Sequence, residues 1–205
     1  LGFMGGYASS RHSISCAVIA SRNDGMQRDY WYSVARDALD LEHAESVGRK
    51  AGQRTAARLG AKKINTCEVP VLFEAPLASS LIGHFVTAAS GGSLYRKSSF
   101  LLDSVGHQVF APDIRLRELP HLKKGLASQA FDDEGVATRE REVVRNGVVQ
   151  GYFLGSYSAR KLGLHSTGNA GGNHNLVLDN GSPADFAELL KRMGKGLLVT
   201  ELLGH

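Results

Sequence analysis

The dipeptide Asn146-Gly147 stands between two runs that read as strands, Arg141-Glu142-Val143-Val144-Arg145 and Val148-Val149-Gln150-Gly151-Tyr152-Phe153-Leu154. The tightest hairpin turns need positive φ at both central positions, and Asn followed by Gly meets that need at the lowest cost. The pair commits residues 139–155 to an antiparallel hairpin. A second hairpin is predicted nearer the start. Residues 13–20 are small and β-branched, Asn23-Asp24-Gly25 supplies a turn, and residues 27–34 carry Tyr30, Trp31 and Tyr32. The pairs Arg28-Asp29 and Arg36-Asp37 assign one face of this hairpin to water.

Helical signals lie between and after the hairpins. Residues 46–59 predict a helix with Ser46 as its N-cap and Gly60 as its stop. Its apolar stripe of Val47, Ala51 and Leu59 is thin, which suits a surface helix. Val69–Phe73 reads as a short buried or edge strand, because Pro70 cannot donate to a ladder. Residues 75–89 predict a second helix with Pro76 in its first turn. Leu77, Leu81, Ile82, Phe85, Ala88 and Ala89 give it a broad apolar face, and Gly91-Gly92 is expected to stop it. Residues 93–135 read as a long irregular stretch, of the kind that carries function or wraps a partner. A helix is predicted over 183–193, with Ser182 as cap, Pro183 at its first position and Asp185 in a capping pair. Phe186, Leu189, Leu190 and Met193 follow helical spacing before Gly194, and Leu197–Thr200 predicts a final strand. Strands and helices do not alternate regularly, so the fold class is α+β with mixed or antiparallel sheets and a few helices.

Composition narrows the function classes. The chain has 205 residues, 42% hydrophobic and 21% charged, with a net charge of +4. No run of five like charges occurs, so a nucleic-acid footprint is not expected. The basic clusters Arg58–Lys63 and Arg96-Lys97 read as solvated surface. No apolar run reaches the roughly 18 residues that a membrane span needs. Cys16 and Cys67 match no zinc or redox spacing and are expected as buried free thiols in a reducing compartment. The chain begins at Leu1 without a Met and is read as an internal fragment of a longer protein.

The chemical question centres on the helix at 75–89. A zinc-peptidase helix needs two imidazoles aimed at one ion and a carboxylate to activate the bound water. Here the helix reads Ser79-Ser80-Leu81-Ile82-Gly83-His84, with Glu74 just before it. Neither His-Glu-x-x-His nor His-Glu-x-x-x-His can be written through it. His84 is either a helix histidine that bonds a backbone or partner group, or an isolated ligand. The segment Thr167-Gly168-Asn169-Ala170-Gly171-Gly172-Asn173-His174 reads equally as a tight connection or as a binding loop. Asp132-Asp133-Glu134 lacks calcium-loop spacing and reads as a solvated turn. Serines are plentiful, but none lies in Gly-x-Ser-x-Gly, and a triad of Ser93, His84 and Asp103 has only coincidence behind it.

Longer strings point to a family. Phe131-Asp132-Asp133-Glu134-Gly135-Val136 with Asn146-Gly147, and Ser158–Gly163 followed by Ser166–Gly172, resemble segments of the TldD/TldE metalloprotease family. Ser90–Ser104 and Gly196–Gly204 resemble its PmbA/TldE-type branch. The resemblance implies a cytoplasmic two-subunit peptidase acting on small peptides or unfolded polypeptides, with zinc held by a TldD-type paralogue. It implies that residues 1–65 end the family's N-terminal domain and that 66–205 begin its C-terminal domain. It further implies that this chain has no catalytic residue and no metal of its own, His84 being the surviving motif position. His84, Arg96, Asn169 and His174 are then the candidates for a peptide-facing or partner-facing cleft. Membrane and direct nucleic-acid partners are not expected. The competing expectations are a free-standing hydrolase using Ser93 or Cys67, and a non-enzymatic modulator.

Overall fold

The computed structural model describes all residues except Leu1, Asp24, Asn180, Ser182, Pro183 and Leu203, Gly204 and His205. The chain divides into two units: Leu1–Thr66 with Lys124–Leu126, and Cys67–Lys123 with Ala127–His205.

In the first unit, strands β1 (His12–Arg22) and β2 (Gly25–Ala35) pair antiparallel in one unbroken register from His12↔Ala35 to Arg22↔Gly25. Of the turn expected between them, Asp24 lies outside the described residues. Side chains alternate across the ribbon, so Ile14, Cys16, Val18 and Ala20 share a half-buried face. Helix α1 (Ala44–Ala57) covers that face and buries Val47, Ala51 and Thr55. The expected Val47 and Ala51 make the buried stripe, and the opposite face, with Glu45, Arg49, Lys50 and Gln53, is exposed. The helix begins two residues earlier than expected, after His43, and Ser46 does not cap it. The Ser46 hydroxyl donates instead to Glu42 Oε2 at 3.2 Å.

Asp29 corrects the reading of a wet Arg28-Asp29 pair. Arg28 is exposed, but Asp29 is 6% exposed, on the face that α1 covers. Arg54 Nε and Arg58 Nη1 each lie 3.3 Å from its carboxylate, and the Tyr30 N–H donates to it at 2.7 Å. A buried carboxylate persists only with such partners. Arg54 and Lys50 also stand over the Trp31 ring, at 5.3 and 4.9 Å.

Lys124 ties its short segment to this unit, with Nζ 2.8 Å from both Asp37 Oδ2 and Asp40 Oδ2. The hydrogen bond from Lys124, followed by that from the Leu39 N–H, holds the Asp37 carboxyl below its ordinary range. The bonds to Asp37 and then Asp40 raise Lys124.

In the second unit, β4 (Arg115–Glu118), β5 (Arg141–Arg145), β6 (Val148–Val149) and β7 (Leu176–Asp179) form an antiparallel sheet in the order β6-β5-β4-β7. Two shorter strands, β3 (Val71–Phe73) and β8 (Leu197–Val199), pair parallel in a sheet of their own. The fold is α+β. Asn146 and Gly147 turn the β5–β6 hairpin at φ 50 and 77. A Cβ at Gly147 would overlap the Phe110 carbonyl oxygen and stand 2.6 Å from that of Ala111.

Helix α2 (Ala75–Ala88) starts with Pro76 in its first turn and ends at Ala89. Gly91-Gly92 does not act as a stop. It opens a further short helix, α3 (Gly91–Tyr95), capped by the Ser90 hydroxyl. The stretch 93–135, expected to be irregular, contains most of α3 and all of β4. Helix α4 (Ser156–Leu162) follows the hairpin and ends at Gly163 in the left-handed region. Helix α5 (Phe186–Met193) is capped by Asp185, which accepts the Glu188 N–H at 2.8 Å. Ser182 and Pro183, expected to start it, lie outside the described residues.

The core joins α2, α3 and α4 to the sheet through Phe85, Ala89, Leu94, Leu101, Leu116, Val143, Val144, Val149, Phe153, Leu154 and Ala159. Phe85 meets Phe110 edge-on at 5.1 Å. Leu81, expected beside Phe85 in the core, is 41% exposed. The buried stripe of α2 instead runs through Ile82, Phe85, Val86 and Ala89.

Two outcomes follow. Phe85→Ala should destabilise the second unit by about 3–5 kcal/mol in denaturant titrations, whereas Leu81→Ala should cost about 0.5 kcal/mol or less. Lys124→Ala should move the Asp37 titration upward toward the ordinary aspartate range in an NMR pH series. Because the native carboxyl is depressed, its stabilising contribution is complete above the ordinary range and is lost as pH falls through the native value. An unmoved Asp37 titration would contradict the Lys124 assignment.

Candidate functional site

Glu118 ends β4 with its carboxylate buried, 1% exposed. Arg141, the first residue of β5, donates from Nε to Glu118 Oε2 at 2.7 Å. The register Glu118↔Arg141 sets the two side by side. The other carboxylate oxygen accepts from Asn169 Nδ2 at 2.7 Å and from the His174 N–H at 2.8 Å. Arg141 also donates to the Tyr152 carbonyl at 2.9 Å and to Asn169 Oδ1 at 3.1 Å. The Thr167 hydroxyl gives Asn169 Oδ1 a second donor at 2.7 Å. His174 is 3% exposed and closes the loop on itself, donating from Nε2 to the Gly168 carbonyl at 2.9 Å.

A second buried carboxylate anchors the other side of this glycine loop. Asp132, 2% exposed, accepts from the Glu134 and Val136 N–H groups at 3.0 and 2.9 Å and from the Ala170 N–H at 3.0 Å. The trio at 132–134 is therefore not simply a solvated turn: its first member is a buried acceptor, while Asp133 and Glu134 are exposed. Glu134 Oε2 accepts from the Ser156 N–H at 2.7 Å, at the start of α4. Gly171 holds φ +92 with the Asp133 carboxylate where a Cβ would point. The glycines thus serve the close fit of two loops.

The loop forms one wall of a pocket of about 330 Å³, whose lining includes Gly91, Gly92, Tyr95, Phe153, Tyr157 and Asn169. A groove of about 450 Å³ runs between α2 and the sheet, lined by Ser79, Ile82, Gly83, Leu116, Leu176 and Leu178 among others. Val86 and Asn173 line both cavities, so they adjoin.

The four residues singled out by sequence fall in different settings. Asn169 lines the glycine-walled pocket while its amide is held by Glu118. His174 is buried beneath the loop. His84 is exposed on α2. Arg96 is exposed at the end of α3, 5.4 Å over the Tyr95 ring, with Nη1 donating to the Tyr95 hydroxyl at 3.3 Å. Sequence reasoning missed Glu118, Arg141 and Thr167. Ser93 accepts a bond from the Ser90 hydroxyl at 3.2 Å within the α3 cap. Cys67, expected buried, is exposed, and Cys16 is half-buried.

Zinc needs three or four nitrogen, oxygen or sulfur donors converging on one point. Helix α2 offers one imidazole, with Ser79 and Ser80 a turn earlier. Among the described residues no group of three or more His, Cys, Asp or Glu side chains is arranged to hold a metal ion. This donor set does not fit the zinc of a peptidase helix. Among the described residues, no helix is long and apolar enough to cross a membrane.

Glu118→Ala should destabilise the second unit by about 3–5 kcal/mol, because it leaves the largely buried Arg141 guanidinium uncompensated. Denaturant titration checks this, and a loss under 1 kcal/mol would remove the network from its structural role.

Comparison with known proteins adds to this geometry. Residues 66–205 match the PmbA/TldA metallopeptidase C-terminal domain and residues 1–59 the central domain of the same group. The chain is 49% identical over 204 residues to the metalloprotease PmbA of Escherichia coli O157:H7, covering 100% of this chain and 45% of that protein. It superposes with a TM-score of 0.91 on a Bacteroides thetaiotaomicron protein described as a proposed modulator of DNA gyrase. That match is 29% identical and covers 99% of this chain and 46% of the other. TldE from Thermococcus kodakarensis shares the fold, with a TM-score of 0.81 at 24% identity, over 95% of this chain and 46% of that one. The chain spans about half the length of these relatives, and it belongs to the PmbA/TldD metallopeptidase family.

Proposed function

We propose that this chain is part of a subunit of a cytoplasmic two-subunit metallopeptidase that acts on small peptides or unfolded polypeptides. The subunit binds no zinc. It shapes the peptide cavity beside a zinc-bearing TldD-type paralogue, with residues 1–65 and 66–205 contributing to two of its domains. The observation that carries this reading is α2 itself. It packs Phe85 in the core and lines a groove, yet offers Ser79, Ser80 and His84, where a zinc-peptidase helix needs two imidazoles and a carboxylate.

The groove suits an extended polypeptide. Strand β7 pairs with β4 on one side only within its sheet, and the groove beside it is walled by Leu116, Leu176, Leu178 and Ile82. Peptides bind such places by main-chain hydrogen bonds and by side chains set into apolar hollows. In this reading His84, Arg96, Asn169 and His174 serve the cleft in unequal ways. His84 and Arg96 face outward, while Asn169 and His174 fix the loop that walls it.

The full-length protein should be purified alone, with its zinc-bearing paralogue, and with a paralogue whose zinc ligands are removed. Cleavage of short peptides should require both chains, and dialysed samples should carry stoichiometric zinc in the paralogue and none in this protein. Chelator-resistant cleavage by this protein alone would contradict the reading and turn attention to Ser93 and Cys67. Absence of cleavage in every combination would favour a modulator without peptidase activity.

A further inference from the structure

The glycine-walled pocket has a rim chemistry that the framework does not use. Tyr95 at the end of α3 and Tyr157 on α4 meet edge-on, with ring centroids 5.7 Å apart at 84°, and both line the pocket. Each ring carries a cation: Arg96 at 5.4 Å from the Tyr95 ring and Lys161 at 5.6 Å from the Tyr157 ring. Among the described residues neither cation has a carboxylate partner. Arg96 does not itself line the pocket; its guanidinium folds back along α3 beside Tyr95 and Gly92, which do. A Cβ added at Gly92, which lines the pocket, would stand 3.4 Å from Arg96 Nη2 and 3.6 Å from Nη1.

The pocket's own acid is Glu134, and one of its oxygens is engaged by the Ser156 N–H. The pocket floor is apolar, from Val86 and Phe153. The result is a hollow with aromatic walls, glycine backbone on one side and a forked cation at the edge whose donors are largely unused. A guanidinium presents five donors in a plane that matches a carboxylate in two parallel bonds, and stacking on an aromatic ring holds that plane in place.

We propose that this pocket recognises a carboxylate of a bound peptide through Arg96, with an apolar or aromatic side chain of the same peptide seated between Tyr95, Tyr157 and Phe153. The inference rests on the reading of the protein as a peptide-handling subunit and adds to it the group by which the peptide is held. Its volume, about 330 Å³, lies at the small end of ligand cavities and suits one end of a peptide, not a long segment. The carboxylate comes either from the peptide's C-terminus or from an Asp or Glu side chain.

Calorimetric titration of the full-length protein in complex with the paralogue whose zinc ligands are removed separates these sources. The probes are Ala-Ala-Phe as free acid and as C-terminal amide, together with acetyl-Ala-Asp-Ala-amide and acetyl-Ala-Asn-Ala-amide. At least one carboxylate probe should bind about tenfold more tightly than its neutral counterpart, as expected for a charge-assisted bidentate pair. The first pair identifies a terminal carboxylate and the second a side-chain carboxylate. Arg96→Met should abolish that preference, so that the acid and neutral probes bind alike. Lys97→Met, which removes the adjacent exposed cation, should preserve it. Equal binding of acid and neutral probes, or a preference that survives Arg96→Met, would overturn the proposal while leaving the peptide reading intact. So would a preference that Lys97→Met removes as completely, since it would then reflect a general positive field. If no probe binds, the peptide reading itself fails and the proposal falls with it.

Discussion

The larger unit depends on how it neutralises one carboxylate. Glu118 stands on a central strand of the four-stranded sheet with almost no contact with water. An isolated carboxylate there would cost several kcal/mol in desolvation, so the surrounding structure has to be built to receive it. Three donors arrive from three places: Arg141 from the next strand, Asn169 from the glycine loop and the His174 backbone from the loop's end. Because Arg141 also holds the Tyr152 carbonyl, the hairpin exit and the loop are fixed to the same ion pair. Tyr152 in turn accepts from the Ser104 N–H and donates to the Leu101 carbonyl, which carries the constraint into the segment after α3. A buried polar cluster of this kind specifies one arrangement when every member is satisfied.

The loop's order has a consequence for the cavities beside it. Asn169 is both a member of the network and part of the pocket wall, and Asn173 belongs to both cavities. A rigid wall requires less ordering on binding than a mobile loop, which lowers the entropic cost of holding any ligand. Helix α2, which the proposed function equates with the metal-carrying helix of a catalytic paralogue, packs on the core through Ile82, Phe85 and Val86. Its packing and its chemistry are separable: the buried stripe is apolar, while the positions that would need imidazole and carboxylate lie off it.

Much of this architecture was legible from residues alone, and the reasons differ from element to element. Asn146-Gly147 declares its hairpin because few other dipeptides tolerate two positive φ angles. The helix over 75–89 and the ribbon of 13–20 with 27–34 follow from periodicity. Strand β4 was not legible. Arg115-Leu116-Arg117-Glu118 fell within the stretch expected to be irregular, and only the pairing of Glu118 with Arg141, 23 residues away, makes the burial of its carboxylate tolerable. Asp29 misled for the same reason, since its arginine partners come from a helix that local pattern cannot orient. Gly91-Gly92 looked like a helix stop because glycine's freedom is a local property, whereas its bond from the Gly91 N–H to the Phe153 carbonyl is not. At the site, the glycine loop and Asn169 were visible as a pattern. Glu118, Arg141 and the buried role of Asp132 were hidden because charge pairing across the sheet leaves no local trace.

The claim that buried carboxylates clamp the glycine loop is most directly tested by native-state hydrogen exchange in the full-length protein. The His174 amide is bonded to Glu118 and the Ala170 amide to Asp132. Both should exchange only through global unfolding, with the same denaturant dependence as amides of the sheet core. Exchange of these two amides through a local opening of much lower free energy, while the core stays protected, would contradict the account.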